Sequence, residues 1–188
     1  MLSIYQIRDL ARGGGRAVYS IQQLANLLGK KKSIANVYAS RLVSRGLAAR
    51  LVRGKLAFTG DEQAIASQLL EPSYISLHSA LSFHGLLMQV PKEIECVTPK
   101  NSRKYGKLGI AYHRIPARLF YGYERHGAGG EYSFVADAEK ALVDGVYLNR
   151  LPRSLVRELA GNVDRGKLAG YVSRFSGKGR KKLERWLI

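Results

Sequence analysis

Acidic side chains are scarce in this chain: 14 Asp and Glu stand against 31 Lys and Arg, which leaves a formal charge of +17. Cysteine is nearly absent. The single Cys96 excludes an internal disulfide and offers a zinc site no second thiol, the pattern of a reducing compartment. No run approaches the roughly 18 apolar residues that a membrane span needs. The N-terminal MLSIYQIRDLARGGG also lacks the apolar centre of a secretion signal, so the sequence reads as cytoplasmic and without membrane contact. Apolar residues make up 46% and charged residues 24%, which removes the profile of a disordered chain.

What is present is basic charge, and it is spread along the chain. Residues 1–70 carry 11 basic and 3 acidic side chains, and residues 71–188 carry 20 and 11. Solubility alone favours added acids at least as much as added bases. An excess of this size and sign attracts polyanions, nucleic acid first among them.

The first sixty residues alternate helix signals with turn signals. In SIYQIRDLAR, Ile4, Ile7, Leu10 and Ala11 share one side at helical spacing, and the glycines at 13–15 end the segment. A short extended piece is expected over Ala17–Tyr19. Ser20 is placed to cap IQQLANLL, with Ile21, Leu24, Ala25 and Leu28 on one face and Gly29 as the stop. Lys30, Lys31 and Lys32 follow, then Ser33 as the expected cap of a second helix that buries Ala35, Tyr38, Ala39 and Leu42 and closes at Gly46. Two short alternating segments then meet at Arg53-Gly54, a tight hairpin.

Helix, turn, helix and basic hairpin is the order of a winged helix-turn-helix, whose second helix enters the major groove. With the stripe above turned inward, that helix presents Ser33, Asn36, Val37, Ser40, Arg41, Ser44 and Arg45, without an acid. Asn suits adenine, Arg suits guanine, and a valine methyl can meet the methyl of thymine. Arg50, Arg53 and Lys55 of the hairpin and the three lysines complete the expected contact to double-stranded DNA.

In the second half, DEQAIASQLL at 61–70 reads as a linking helix, with Asp61 and Glu62 at its positive end and Pro72 beyond it. Ser76 is an expected cap for a helix burying Leu77, Ala80, Leu81 and His84 or its neighbours. EIECVTP and IAYHRI read as strands, KNSRKYG as a basic turn between them, and FYGYERHGAGGEYSFVAD as a hairpin around its glycines. Asp137 should cap AEKALVDGVYL, and helices are expected near 153–160, 164–175 and 178–187.

Catalytic signals are thin. His78 and His84 fall on different faces of one helix, and His113 and His126 have no companions at ligand spacing, so no metal site or cofactor is read. Asp137, Glu139, Lys140 and Asp144 invite a metal-dependent nuclease or RNA-processing reading. Against it, Asp137 has a cap's position, Glu139 suits a first turn, and Lys140 with Asp144 is spaced as an exposed i, i+4 pair. Lys100, Arg103, Lys104 and Lys107 are a candidate second polyanion contact. Lys178 to Lys182 either add to such a contact or solvate a last helix whose Leu183, Trp186 and Leu187 pack inward. A winged-helix adaptor for RNA or protein stays open as a third reading.

The run RLVSRGLAARLVRGKLAF at 41–58 resembles segments of many bacterial and archaeal winged-helix regulators. Downstream, PSYISLHSALSFHGLL (72–87), VTPKNSRKYG (97–106), YHRIPARLFYGYE (112–124) and VADAEKALVDGVYLNR (135–150) resemble, in order, the abortive-infection AbiEi antitoxin family. Together these segments cover nearly the whole chain. The resemblance implies an α+β protein with a winged helix-turn-helix at 1–60, a linker helix at 61–71 and an antitoxin-type α+β domain with C-terminal helices at 72–188. It also implies a non-catalytic autorepressor that binds inverted repeats in its own promoter, and the two-fold symmetry of such a site suggests a homodimer on DNA. The second domain would be the antitoxin of a type IV-like pair whose toxin is a nucleotidyltransferase-like protein. Met88-Gln89-Val90 and Gly145 depart from the family's usual pattern.

Overall fold

Ser3 and Ser20 open their helices by the same device. Each hydroxyl accepts from the backbone N–H three residues on, while the glutamine there, Gln6 or Gln23, accepts the serine's own N–H in return. Two donors that a helix start leaves without partners are thereby satisfied. The helices that follow are α1 (Ile4–Gly13) and α2 (Ile21–Leu28). A computed structural model of the chain describes residues 2–127 and 131–188. Helix accounts for 50% and strand for 18%, with nine helices and two sheets among the described residues, so the α+β expectation holds.

The chain divides into two units, one of Met1–Leu69 with His126–Ser133 and one of Leu70–Arg125 with Phe134–Ile188. In the first, β1 (Val18–Ser20) leads into α2, and Gly29 ends that helix in the left-handed conformation at φ 59°. Helix α3 (Lys32–Ser44) follows, then β2 (Ala49–Val52) and β3 (Lys55–Ala57), joined through Arg53 and Gly54. The sheet is antiparallel in the order β1-β3-β2. Its core holds Ile7, Ala11, Tyr19, Leu24, Ala35, Ala39, Leu42, Leu56 and Phe58. Each leucine buried in this way contributes about 2 kcal/mol. Gly14 has a packing reason: a Cβ there would sit 2.5 Å from the Tyr19 hydroxyl, which donates to the carbonyl of Ala11.

Residues 61–71, expected as a linker, contain α4 (Glu62–Leu69), which clusters with the first unit. Asp61 accepts from the N–H groups of Gln63 and Ala64 at the helix start. The buried side chain of Gln68 accepts from Ala17 and donates to the carbonyl of Tyr132.

The second unit carries β4 (Tyr74–Ile75), α5 (Leu77–Phe83), β5 (Ile94–Thr98), β6 (Arg103–Tyr105), β7 (Ile110–Arg114), β8 (Tyr123–His126) and β9 (Ser133–Ala136). Four helices complete it: α6 (Ala138–Tyr147), α7 (Arg153–Leu159), α8 (Arg165–Ser173) and α9 (Gly177–Leu187). The sheet runs β6-β7-β5-β4-β9-β8. Strands β5 and β7 are parallel, Ile94 facing Ile110, because the segment expected as a basic turn supplies an extra strand: β6 runs antiparallel to β7 at the sheet edge. Strands β8 and β9 are neighbours as the expected hairpin requires, while Ala128, Gly129 and Gly130 lie outside the described residues.

Helix α6 is the hub of this unit. It packs against α5, α8 and α9, and every residue from Glu139 to Val146 is buried. Three of those residues are ionisable, so the helix needs internal partners for them. Gly145 fits here for a steric reason. A Cβ on it would stand 2.2 Å from Leu151 Cδ1 and 2.3 Å from its Cγ, so the small residue admits Leu151.

Candidate nucleic-acid interface

The start of α3 differs from the sequence expectation. Lys31, not Ser33, is the cap, and no side chain satisfies the first N–H groups of the helix. The cause lies upstream. Gly29 and Lys30 donate to the carbonyls of Asn26 and Ala25, which wraps the end of α2 and leaves Lys31 extended, so helical geometry begins two residues earlier than a Ser33 cap would allow. The exposed Lys30, Lys31 and Lys32 therefore surround a helix N-terminus whose donors are open. Cations at that end work against the helix dipole, and an anion seated there relieves both the charge and the unpaired donors.

Beyond the first turn, Ala35, Ala39 and Leu42 are fully buried and fix the rotation of α3. Tyr38, expected in that stripe, is only half-buried. The opposite face is as expected: Ser33, Asn36, Val37, Ser40, Arg41, Ser44 and Arg45 are all exposed, Val37 by 51%. Ser44 donates to the carbonyl of Arg41 within the helix, so its hydroxyl is already engaged. Sequence alternation missed how long the acid-free stretch is. No Asp or Glu occurs from Leu10 to Gly60, and this includes both helices and the hairpin.

The hairpin contributes less than expected. Arg50 and Arg53 are exposed, but Lys55 is half-buried and donates its ammonium to the carbonyl of Leu69 at the end of α4. That contact satisfies a carbonyl left over by the helix, and it ties Lys55 to the fold of the first unit. A groove of about 710 Å³ lies between α1 and the N-terminal half of α3, lined by Leu2, Ile7, Leu28, Lys30, Ile34 and Tyr38.

In the second unit the expected polyanion patch is exposed throughout, at Lys100, Arg103, Lys104 and Lys107, but two of its members have partners. Lys104 ion-pairs with Glu93, and Arg103 donates to the Tyr105 hydroxyl. Met88 and Val90 are 99% and 85% exposed.

The acids of α6 are engaged structurally. Asp137 accepts from the N–H of Lys140 as the expected cap, and also from the Tyr171 hydroxyl and the Lys167 ammonium. Glu139 accepts from the N–H of Asp164. Burial opposes the charge on Lys167, yet Asp137 and Glu139 hold its proton more tightly than usual. The Lys140–Asp144 pair forms at the expected spacing but in the core, with 0% and 1% exposure, which corrects the exposed pairing. Tyr74 and Ser76 both donate to Asp144 Oδ2, at 2.9 and 3.0 Å. Ser76 therefore does not cap α5 with its hydroxyl.

The structure also assembles a group that sequence spacing did not indicate. His78 Nδ1 lies 2.8 Å from Glu95 Oε2, and His113 Nε2 lies 3.7 Å from Oε1 of the same carboxylate. Burial alone raises the Glu95 carboxyl, but the two imidazoles outweigh it and bring it down to about 2. The register of β5 beside β7 places Glu95 and His113 on one face. His84, offered with its neighbours as an inward position, is exposed, with its Nε2 2.8 Å from the carbonyl of Ala136. Among the described residues, no three His, Cys, Asp or Glu side chains are grouped to hold a metal ion, and no helix is long and apolar enough to cross a membrane.

No protein-family model matches this sequence, and no curated protein matches it.

Proposed function

We propose that the protein is a DNA-binding autorepressor with a winged helix-turn-helix in its first unit, and that its second unit is the antitoxin partner of a nucleotidyltransferase-like toxin. The observation that carries the DNA reading is the exposed, acid-free face of α3. Asn36, Val37, Ser40 and Arg41 project outward from a helix anchored by Ala35, Ala39 and Leu42, beside three lysines at an uncapped N-terminus. The first group has the donors, acceptors and methyls that read base edges, and the second has the charge that grips phosphate. The contacts of Asp137 and Glu139 with Lys167, Tyr171 and Asp164 favour this reading over a nuclease. The antitoxin assignment rests on the resemblance to AbiEi antitoxins over residues 72–150.

A gel-shift titration of the full chain on the DNA upstream of its own gene tests the reading. Specific binding should fall steeply with salt, in proportion to the phosphates neutralised. Arg41→Ala should relax the preference among sequences, costing about 1–3 kcal/mol on the operator alone. Lys31→Ala should weaken all sequences alike and flatten the salt slope. Equal losses for both variants on operator and random DNA would overturn the division of roles. Co-expression with the product of a neighbouring nucleotidyltransferase-like gene, scored by growth, tests the antitoxin part.

A further inference from the structure

The C-terminal helices enclose a pocket of about 340 Å³ between α7, α8 and α9. Its charged side chains are of one sign, three cations against the single backbone carboxylate of Ile188, which also borders it. Arg157, Arg165 and Arg185 border it, one from each helix, and no acidic side chain does. Among the described residues none of the three forms an ion pair. Like charges brought together in this way repel one another unless a counter-charge sits between them.

The uncharged part of the lining is aromatic and apolar. Trp186 borders the pocket, and its indole Nε1 is buried without a hydrogen-bond acceptor. The ring of Trp186 already faces two cations, Lys182 Nζ at 4.9 Å and the Arg153 guanidinium at 5.8 Å from its centroid. Burial and the nearby Arg185 hold the Lys182 ammonium below its ordinary range. Every polar side chain bordering the pocket is a donor, and Leu168 and Leu187 supply an apolar wall.

We propose that this pocket binds a phosphate ester, with the phosphate between Arg157, Arg165 and Arg185 and the organic part against Leu168, Trp186 and Leu187. A phosphate monoester near neutral pH carries about −1.5 to −2 charge and three acceptor oxygens, which suits three guanidinium forks better than a carboxylate does. The volume stands at the small end of the roughly 300–1,000 Å³ range of ligand pockets, the size of a mononucleotide. The phosphate can come from a free nucleotide or from the phosphorylated end of a nucleic acid strand.

Trp186 is the only tryptophan, so its fluorescence reports on this pocket directly. The full chain is titrated at constant ionic strength with AMP, with adenosine, and with a short oligonucleotide bearing or lacking a 5′-phosphate. AMP or the phosphorylated oligonucleotide should give a saturable change that adenosine and the unphosphorylated strand do not. Arg157→Ala and Arg165→Ala remove exposed side chains and leave the buried packing in place. Each should weaken the response by about tenfold or more. Tighter binding of AMP identifies a free nucleotide as the source, and tighter binding of the phosphorylated strand identifies a nucleic acid end. No saturable change with either phosphate probe overturns the proposal, as does a response unaltered in both arginine variants or equal for strands with and without phosphate.

Discussion

Lys140 ion-pairs with Asp144 one turn along α6, where neither side chain reaches solvent. The rings of Tyr121 and Tyr74 lie 4.8 and 5.7 Å from the ammonium, and the Tyr74 and Ser76 hydroxyls complete the carboxylate's partners. Desolvating two charges offsets much of their attraction, so the intact pair adds little net stability, but removing one member leaves an uncompensated buried charge.

Lys140→Met should therefore lower stability by about 3–5 kcal/mol. Burial already raises the Asp144 carboxyl above its ordinary 3.8 despite Lys140, and loss of the ammonium raises it further. A carboxyl raised on folding contributes stability below its unfolded value and loses it as pH rises through the folded one. The variant's melting temperature should thus fall more steeply than the wild type's as pH rises above the ordinary carboxyl value of 3.8, and Lys140→Met combined with Asp144→Asn should remove the extra slope. Thermal unfolding across pH measures both.

Gly145→Ala opposes two effects. Alanine favours a helix interior by about 1 kcal/mol over glycine, whereas a methyl 2.2 Å from Leu151 must displace a buried side chain, at about 1–3 kcal/mol. Since Leu151 is only 3% exposed, it has little room to yield, and net destabilisation of about 1 kcal/mol is expected. Urea denaturation of Gly145→Ala, Leu151→Ala and the double variant should show the double to be less damaged than the sum of the singles.

Glu95 gives the second unit an acid-sensitive contact. Its carboxyl lies at about 2 in the folded chain against an ordinary 4.5. A lowered carboxyl stabilises above the unfolded value and loses that contribution as pH falls through the folded one. The window is thus from about 4.5 down to about 2. Discounted for partial solvent screening, the loss amounts to about 1–2 kcal/mol. In Glu95→Gln the acid limb of the unfolding profile should be shallower by this amount.

Lys55 and Lys31 should separate cleanly on DNA. Lys55→Ala removes the bond to the Leu69 carbonyl and should lower stability by about 1–2 kcal/mol while leaving the salt slope of binding unchanged. Lys31→Ala should do the reverse. Paired melting and gel-shift measurements at several salt concentrations distinguish the two.

The first unit was legible where local chemistry governs. Ser20, Gly29 and the Arg53-Gly54 turn lie where their residue types dictate, and the Ala35–Ala39–Leu42 stripe is buried as its spacing requires. The start of α3 was not, because the wrapped end of α2 decides it rather than the hydroxyl of Ser33. In the second unit, Arg103-Lys104-Tyr105 carries no alternating apolar signal and becomes a strand through pairing with β7. The spacing of Lys140 and Asp144 gave their contact correctly. Their burial follows from α5, α8 and α9 packed around α6, which periodicity within one helix does not encode. The His78–Glu95–His113 group depends on parallel register and has no counterpart in linear spacing.

The pairing of Gln68 with the Tyr132 carbonyl, and of Thr59 with Glu131, has a consequence for the order of events during synthesis. The polypeptide leaves the ribosome N-terminus first, and domains fold as they emerge. Helices α1 to α4 emerge well before residues 131 and 132, so the first unit closes its last contacts only when about two-thirds of the chain has been translated. A nascent or prematurely terminated product ending near residue 69 lacks those partners, and this unit is completed only after residues 70–125 of the second have been translated.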